Sequence, residues 1–314
     1  MKKTYLMLAL AAGLLASCDM DKEPYNALPD TEGISTPTDF ANARVGLYSG
    51  LRSSIEGNFY NAPEIQCDGF DAVTGFSNSL GDMYRYTFTS STGYFETVYA
   101  NYQAIMSRAN YILDGWKKFV PKSTYTADNL ATVKTAVGDA YYTRAYSIFM
   151  LAEYFCADYE PETADAANSG VSYRLDYAPS SNASTYPARA TMKETMKQVS
   201  DDLDSAAVYI TTQGEASYGY YTQDAITALR ARMALYTHDY TKAAQYATQL
   251  INSGRYTLAE DADELEDLWH NDGGNETILQ LAVPTKDELP AQTGILYQPY
   301  SDGAVPDYVP TQTL

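Results

Sequence analysis

The chain has 314 residues, of which 40 are Asp or Glu and 21 are Lys or Arg, so its formal net charge is −19. A surface this acidic repels the phosphates of nucleic acid, which excludes nucleic acid as a partner. A hydrophobic fraction of 45% is typical of a folded protein, and a chain of this length can bury a large core. The unusual feature is the 30 tyrosines, because tyrosine both fills helix cores and suits surfaces that bind sugar rings.

The first residues are typical of a secreted lipoprotein. Lys2 and Lys3 precede an apolar stretch, residues 5–15, that is too short to span a bilayer and fits a signal peptide. Small residues then lead to Cys18, a pattern that resembles a bacterial lipobox, in which the cysteine is acylated. We expect residues 1–17 to be a lipoprotein signal peptide and Cys18 to carry lipid. An ordinary signal peptide with an incidental cysteine is the alternative.

Residues 18–37 are acidic and contain Pro and Asn, which predicts a flexible tether. The acidic residues directly after the cysteine, from Asp19 to Glu23, resemble the surface-export signal of Bacteroidetes lipoproteins. With Cys18 lipidated, Cys67 and Cys156 are the remaining cysteines. We expect both to be buried apolar residues, although an oxidising compartment would also allow a disulfide between them.

Apolar residues at helical spacing follow the tether. They predict helices over residues 38–55, 99–116, 135–155, 191–210, 223–236 and 240–253. The third is apolar around much of its circumference and should lie between other helices. Thr36 and Thr191 are predicted to cap the first and fourth helices. The last two helices, with Ala231 in the first and Asp239-Tyr240 at the start of the second, resemble a tetratricopeptide hairpin that ends at Gly254.

Two long stretches, residues 58–96 and 159–188, are predicted to be irregular, because they mix Gly, Asn, Ser and Pro with aromatic residues. In the first of them, the alternation over residues 84–88 also allows one short strand. Long loops often carry function, so the aromatic residues Phe76, Tyr84 and Tyr86 of the first stretch are the candidate ligand-binding residues. Packing of these rings within the loop is the alternative for each of them.

The sequence contains no P-loop, GxGxxG turn, G-x-S-x-G elbow or H-E-x-x-H pair. His238 and His270 have no metal-ligand pattern around them, and His238 is expected to be a structural polar residue. The acidic run of residues 260–267 is predicted to be a solvated turn and not a calcium loop. We therefore expect no enzyme, cofactor or metal. A pair of carboxylates placed for glycoside hydrolysis stays open as an alternative.

Several segments together resemble the SusD/RagB family of outer-membrane nutrient-binding lipoproteins. The segments are Asp39-Phe40 with Ala43, Gly46, Leu47 and Tyr48; Ser107-Arg108-Ala109-Asn110; Gly138-Asp139-Ala140-Tyr141-Tyr142-Thr143-Arg144-Ala145-Tyr146; Asp202-Leu203; Ala228 to Met233; and Ile251 to Tyr256. The resemblance runs from Cys18 to about Leu281. It implies a mainly α fold over residues 38–314, with tetratricopeptide-like helix pairs and long loop-rich insertions. Because family members usually continue further, we expect this domain to be truncated at its C-terminus.

The resemblance also implies a function. It is that of a cell-surface protein, lipid-anchored to the outer membrane and facing the cell exterior, that binds oligosaccharides or sometimes peptides. Such a protein delivers its ligand to a SusC-like TonB-dependent barrel transporter. The tetratricopeptide-like hairpin supports an alternative, a lipid-anchored scaffold in envelope assembly.

Overall fold

A computed structural model describes residues 33–55, 58–73, 75, 78, 80–270, 273–281 and 307–311. The predicted signal peptide, Cys18 and most of the predicted tether lie outside these residues. The described chain is mainly helical, as predicted, and its helices are α1 Pro37–Ile55, α2 Asn58–Gln66, α3 Gly81–Tyr84, α4 Gly93–Lys118, α5 Ala127–Phe155, α6 Met192–Tyr209, α7 Gln223–Tyr236, α8 Tyr240–Asn252 and α9 Ala262–His270. Strand β1, Phe70–Ala72, pairs antiparallel with β2, Tyr308–Pro310, and Asp71 lies opposite Val309.

The helix starts predicted at Thr36 and Thr191 are confirmed. Thr36 Oγ1 accepts a hydrogen bond from Asp39 N at 3.2 Å, and the Asp39 carboxylate accepts one from Thr36 N at 2.7 Å. Thr191 and Glu194 form the same reciprocal pair at the start of α6. These bonds satisfy N–H groups that have no partner within the helix, so each helix begins at its sequence signal.

Two helices, α4 and α5, begin earlier than the apolar pattern predicts. α4 starts at Gly93 because Tyr94 and Val98 are buried and extend its apolar face towards the N-terminus. α5 starts at Ala127 because Thr126 and Asn129 form a capping box ahead of its apolar part. The first turn of α5 is polar and carries no apolar period, and for this reason the pattern does not reveal it.

The central helix is α5, as its all-round apolar character predicts. It packs against α4, α6 and α1. One apolar cluster, which includes Tyr102, Phe149 and Leu203, lies between α4, α5 and α6 and extends to α7. A second cluster lies between α1, α4 and α5 around Phe40 and Ile112. The two clusters therefore share α5, which joins the helices into one body.

The predicted hairpin of α7 and α8 is confirmed. Its turn contains His238, which has a φ of 60°, and Asp239 N donates to Ala234 O at 2.8 Å. Asp239 then caps α8 by accepting a hydrogen bond from Lys242 N. Gly254, with a φ of 65°, follows the end of α8, where glycine adopts the left-handed conformation without steric cost. None of the helices in the described residues is both long and apolar enough to cross a membrane.

The prediction that residues 58–96 are irregular is wrong in part. Ala62 is 1% exposed and belongs to the main apolar cluster, while Ile65, also 1% exposed, belongs to a small cluster with Tyr308. Pro63 within α2 conceals this helix in the sequence. The short strand considered over residues 84–88 is also wrong. Tyr86 has a φ of 54°, and the N–H groups of residues 85–87 bond back to carbonyls of residues 81–83 in a tight turn.

Two further expectations need correction. The acidic run of residues 260–267 is not a turn but enters α9, because Asp261 accepts a hydrogen bond from Glu264 N and acidic residues stabilise the first turn of a helix. Cys67 is exposed, since it lies in the turn after α2, whereas Cys156 is half-buried. Both are free thiols.

Candidate functional site

A groove runs along one side of α4, opposite the loop of residues 172–187. We call it the α4 groove, and its volume is about 610 Å³, which is within the range of small-molecule sites. The residues that α4 contributes recur every three or four positions and so share one side of the helix: Glu96, Tyr99, Ala100, Gln103, Met106, Ser107 and Asn110. The loop contributes Ser172, Arg174, Asp176, Ala178, Pro179, Ser180, Tyr186 and Pro187.

Two amide side chains of α4 hold the loop in place. Gln103 Nε2 donates to Ser172 O at 2.9 Å. Asn110 Nδ2 donates to Arg174 O at 2.9 Å and to Asp176 O at 3.2 Å. Loop carbonyls that leave water need such partners, because an unpaired buried carbonyl is costly. One wall of the groove is therefore positioned by the helix that forms the other.

The loop is also braced across its own width. Ser172 Oγ donates to Pro187 O at 2.7 Å, and Arg174 Nη1 donates to Thr185 O at 3.2 Å. At the tip, Asn182 Oδ1 accepts a hydrogen bond from Ser184 N and starts a single 3₁₀ turn. These bonds close the two arms of the loop on each other.

The buried ion pair of Arg144 and Asp202 orients the side chain of Asn110. Arg144 of α5 donates from Nη1 to Asn110 Oδ1 at 2.9 Å. Its Nε and Nη2 bind the two carboxylate oxygens of Asp202 in α6 at 2.8 and 2.6 Å. Because a guanidinium can only donate, it fixes Asn110 Oδ1 as the acceptor and directs Nδ2 to the loop. Burial raises the pKa of Asp202, and the Arg144 guanidinium acts in the opposite direction.

The α4 groove presents aromatic rings beside polar groups. Tyr186 is 57% exposed, and Tyr99 is half-buried with its ring edge-on to Phe155 at a centroid distance of 5.2 Å. Glu96 is exposed on α4, and Arg174 is half-buried in the loop. Apolar ring faces beside hydrogen-bonding groups suit a ligand that has both apolar faces and hydroxyls.

A comparison with known families identifies the fold. A family model, SusD-like_3, described as "Starch-binding associating with outer membrane", matches residues 20–235, which is more than half of the chain. The chain belongs to the SusD-like family. No protein with a curated description matches it.

Solved structures of SusD-like proteins share this fold. A SusD superfamily protein from Bacteroides thetaiotaomicron has a TM-score of 0.64 and 22% identity, and the match covers 82% of this chain and 55% of that one. A SusD superfamily protein from Bacteroides vulgatus has a TM-score of 0.62 and 21% identity, and the match covers 81% of this chain and 56% of that one. Surface glycan-binding protein A from Bacteroides fluxus has a TM-score of 0.58 and 17% identity, and the match covers 78% of this chain and 50% of that one. The chain thus spans about half the length of these structures.

Three buried carboxylates join parts of the body, and the SusD-like segments of the sequence supply two of them, Asp139 and Asp202, and several of the partners. Each of the three carboxylate side chains is 3% exposed or less. The contacts are Asp139 with Arg44 and Tyr48, Asp202 with Arg144, and Asp224 with Arg255 and Tyr256. Most of these side chains therefore join helices and loops of the body, while Asn110 both joins this network and lines the groove. The sequence analysis missed the groove, although the polar residues at helical spacing in α4 were a signal of it.

The residues predicted from the sequence to bind ligand lie apart from the α4 groove or outside the described residues. Phe76 belongs to the undescribed part of the chain, as does Cys18, the predicted lipidation site. Tyr84 is half-buried, with its ring centroid 5.7 Å from that of Tyr308. Tyr86 is exposed, and its hydroxyl donates to Gln66 O. Neither tyrosine lines the groove, and ligand binding by Phe76, Tyr84 and Tyr86 stays a prediction.

Proposed function

We propose that the chain is a lipid-anchored protein of the outer-membrane surface that binds oligosaccharides in the α4 groove and delivers them to a SusC-like TonB-dependent barrel transporter. The observation that carries the proposal is the meeting of Tyr99 and Tyr186 with amide and charged side chains in one groove. The family description as starch-binding and the name of the glycan-binding relative support it.

Binding would use the two kinds of surface that a sugar presents. The exposed ring of Tyr186 can stack against the apolar face of a pyranose, and Tyr99 can contact the next ring along α4. The carboxylate of Glu96 can accept hydrogen bonds from sugar hydroxyls, and the guanidinium of Arg174 can donate to them. The proposal contains no chemical step, since it needs only a groove that holds and releases its ligand. A peptide with aromatic or hydroxyl side chains is the alternative ligand.

The membrane part of the proposal rests on the N-terminal sequence. Lipid on Cys18 would hold the folded body at the membrane, because each buried methylene of an acyl chain contributes about 0.8 kcal/mol. The acidic residues from Asp19 to Glu23 would mark the protein for export to the cell exterior. The barrel transporter is part of the proposal because the sequence resembles a family whose members deliver their ligands to such transporters.

Calorimetry of the whole lipidated protein in detergent, with a panel of neutral oligosaccharides and peptides, tests ligand binding. We expect Tyr186→Ala to weaken the binding of the best ligand by about tenfold, which corresponds to about 1.4 kcal/mol. The matched control is Tyr240→Ala, which removes an exposed tyrosine of α8 that does not line the groove. No heat of binding across the panel, or an equal loss in both variants, would refute the proposal.

Purification from the outer membrane tests the partner. We expect the protein to bring down a barrel transporter, and we expect Cys18→Ser to lose acyl chains by mass spectrometry and to leave the membrane fraction. A wild-type protein that is lipid-free and purifies with no barrel would contradict this part of the proposal.

One structural feature favours the scaffold as a second candidate function. Helix α8 contains no fully buried residue, and Tyr240 and Ile251 are exposed on it. An exposed tetratricopeptide-like helix is a surface on which other proteins can dock. Capture of envelope-assembly proteins through this helix, without a transporter and without oligosaccharide binding, would favour the scaffold.

A further inference from the structure

A second cavity lies between α1 and the start of α5, and we call it the α1–α5 pocket. Its volume is about 660 Å³. Arg44, Tyr48 and Arg52 line it from α1, Thr132 and Thr135 line it from α5, and Tyr220 lines it from the loop before α7. None of the residues that line it also lines the α4 groove, so the two cavities can be tested separately.

Two arginine side chains reach this pocket from α1, and the buried Asp139 carboxylate balances the charge of one of them, Arg44. Arg44 and Arg52 line it, and no acidic side chain is among the described residues that do so, although the chain has 40 acidic and 21 basic residues. The α4 groove, by contrast, is lined by Glu96 and Asp176 against Arg174. A cavity whose described lining holds guanidinium groups and no carboxylate favours a ligand that carries an acidic group.

Arg44 is held in a fixed position at the pocket wall. Its Nε donates to Asp139 Oδ2 at 2.5 Å, and Asp139 is buried beneath it with a side-chain exposure of 1%. Its guanidinium carbon lies 4.3 Å from the ring centroid of Tyr220. Among the described residues, its Nη atoms make no hydrogen bond. Two N–H groups in one plane on a fixed guanidinium match the two oxygens of a carboxylate.

The other walls suit a sugar ring. Tyr220 is 46% exposed, and its ring meets that of Tyr48 edge-on at a centroid distance of 5.3 Å, which fixes its orientation. Thr132 Oγ1 and Thr135 Oγ1 each donate to a carbonyl one turn earlier in α5. Their protons are thus in use, and their lone pairs stay available to accept hydrogen bonds from ligand hydroxyls.

We propose that the α1–α5 pocket binds a carboxylated sugar ring of an acidic oligosaccharide, with the carboxylate on the Arg44 guanidinium and the ring against Tyr220. This inference rests on the proposed function, because it assumes that the protein binds saccharides. It adds a second site and a ligand class that differs from that of the α4 groove. Asp139 keeps Arg44 in place.

The experiment compares two probes of equal length on the whole protein. One is an oligogalacturonide, and the other is its carboxyl-reduced, neutral counterpart. We expect the acidic probe to bind at least about tenfold more tightly and to lose affinity as salt is raised. Tyr220→Ala should weaken its binding by about tenfold. Tyr240→Ala, on the exposed face of α8, is the matched control and should leave it unchanged.

Two further variants separate this inference from the proposed function. Arg44→Lys keeps a positive charge beside Asp139 but lacks the planar pair of donors, and it should also weaken binding of the acidic probe. Tyr186→Ala should weaken neutral ligands and spare the acidic probe. Equal affinity for the two probes, or loss of acidic binding in Tyr186→Ala but not in Tyr220→Ala, would overturn the inference. Failure of neutral ligands alone would overturn only the assignment of the α4 groove.

Discussion

Arg144 and Asp202 form a bidentate ion pair between α5 and α6, in which both side chains are less than 10% exposed. The remaining arm of Arg144 reaches Asn110 in α4. Three helices therefore meet at one guanidinium, and the same guanidinium determines the orientation of a residue that lines the α4 groove. Stability of the body and geometry of the groove consequently depend on a single buried contact.

Replacement of Arg144 by Met should be strongly destabilising. The side chain of Met fills part of the space but leaves the Asp202 carboxylate buried without its cation, which typically costs 3–5 kcal/mol, so we expect a loss of about 4 kcal/mol. Urea denaturation followed by circular dichroism measures this loss. The control is Lys197→Met, because the Lys197–Asp201 pair is exposed and its loss should cost less than about 1 kcal/mol. Similar losses in both variants would show that the buried ion pair contributes no more to stability than the exposed one.

Replacement of Asn110 by Ala should loosen the loop of the α4 groove. Two loop carbonyls lose their donor, so the amides of residues 172–177 should exchange hydrogen faster than in the wild type. The comparison is Gln103→Ala, which removes a single bond to Ser172 and should have a smaller effect, confined to that end of the loop. Unchanged exchange in Asn110→Ala would mean that the loop holds its position without the two bonds from Asn110.

Two glycines should respond to alanine with opposite signs. A Cβ at Gly170 would lie 2.2 Å from Thr195 Oγ1 and 2.4 Å from Thr191 O, so Gly170→Ala should lower the free energy of unfolding by about 1–3 kcal/mol. A Cβ at Gly46 meets nothing within 4 Å in the interior of α1, and Gly46→Ala should raise it by about 0.5–1 kcal/mol. Thermal unfolding of both variants is the measurement. Changes of the same sign would contradict the packing around Gly170 or the open space around Gly46.

Asp139 should make stability depend on pH. Burial raises the pKa of Asp139 to about 6, from 3.8 for an unperturbed carboxyl, against the opposing effects of Arg44 and the Tyr48 hydroxyl. Its Oδ1 has no hydrogen-bond partner among the described residues. Between these two pH values the folded chain binds more protons at this site than the unfolded chain. The contribution of Asp139 to the free energy of unfolding must therefore fall as pH rises from about 4 to 6.

Asp139→Asn isolates this contribution, because the amide does not titrate. The difference in unfolding free energy between wild type and variant should decline by about 3 kcal/mol across that window, since one pKa unit corresponds to about 1.4 kcal/mol. Urea titrations at several pH values between 3.5 and 7 give the two curves. A difference that is constant or that grows with pH would show that Arg44 outweighs burial at this carboxylate.

The sequence predicts the helices well where local signals act. Apolar residues at helical spacing located α1 and α6, and capping residues located the first turns of both. The all-round apolar pattern of α5 predicted its central position, because a helix with no polar side must be covered on every side. α2 escaped prediction, because buried positions such as Ala62 and Ile65 do not by themselves show a period and Pro63 argues against a helix.

The α4 groove could not be predicted in the same way. Its wall depends on bonds between Asn110 and carbonyls that lie 64 and 66 residues further along the chain, and no local pattern reports such contacts. The function of a tyrosine likewise depends on which neighbours cover it. Tyr173 and Tyr177 both follow Pro-, Asn- and Ser-rich sequence, yet Tyr173 packs against the main apolar cluster while Tyr177 is exposed.

The bonds across the loop of residues 172–187 separate its arms from its tip. Hydrogen bonds between Ser172 and Pro187 and between Arg174 and Thr185 fix the arms to each other. The side-chain amides of Gln103 and Asn110 fix them to α4. Residues 178–181 make none of these bonds to the opposite arm or to α4. This short span can therefore change in length or composition without disturbing the helices, and through it evolution or an engineer could alter the reach of the groove on an unchanged scaffold.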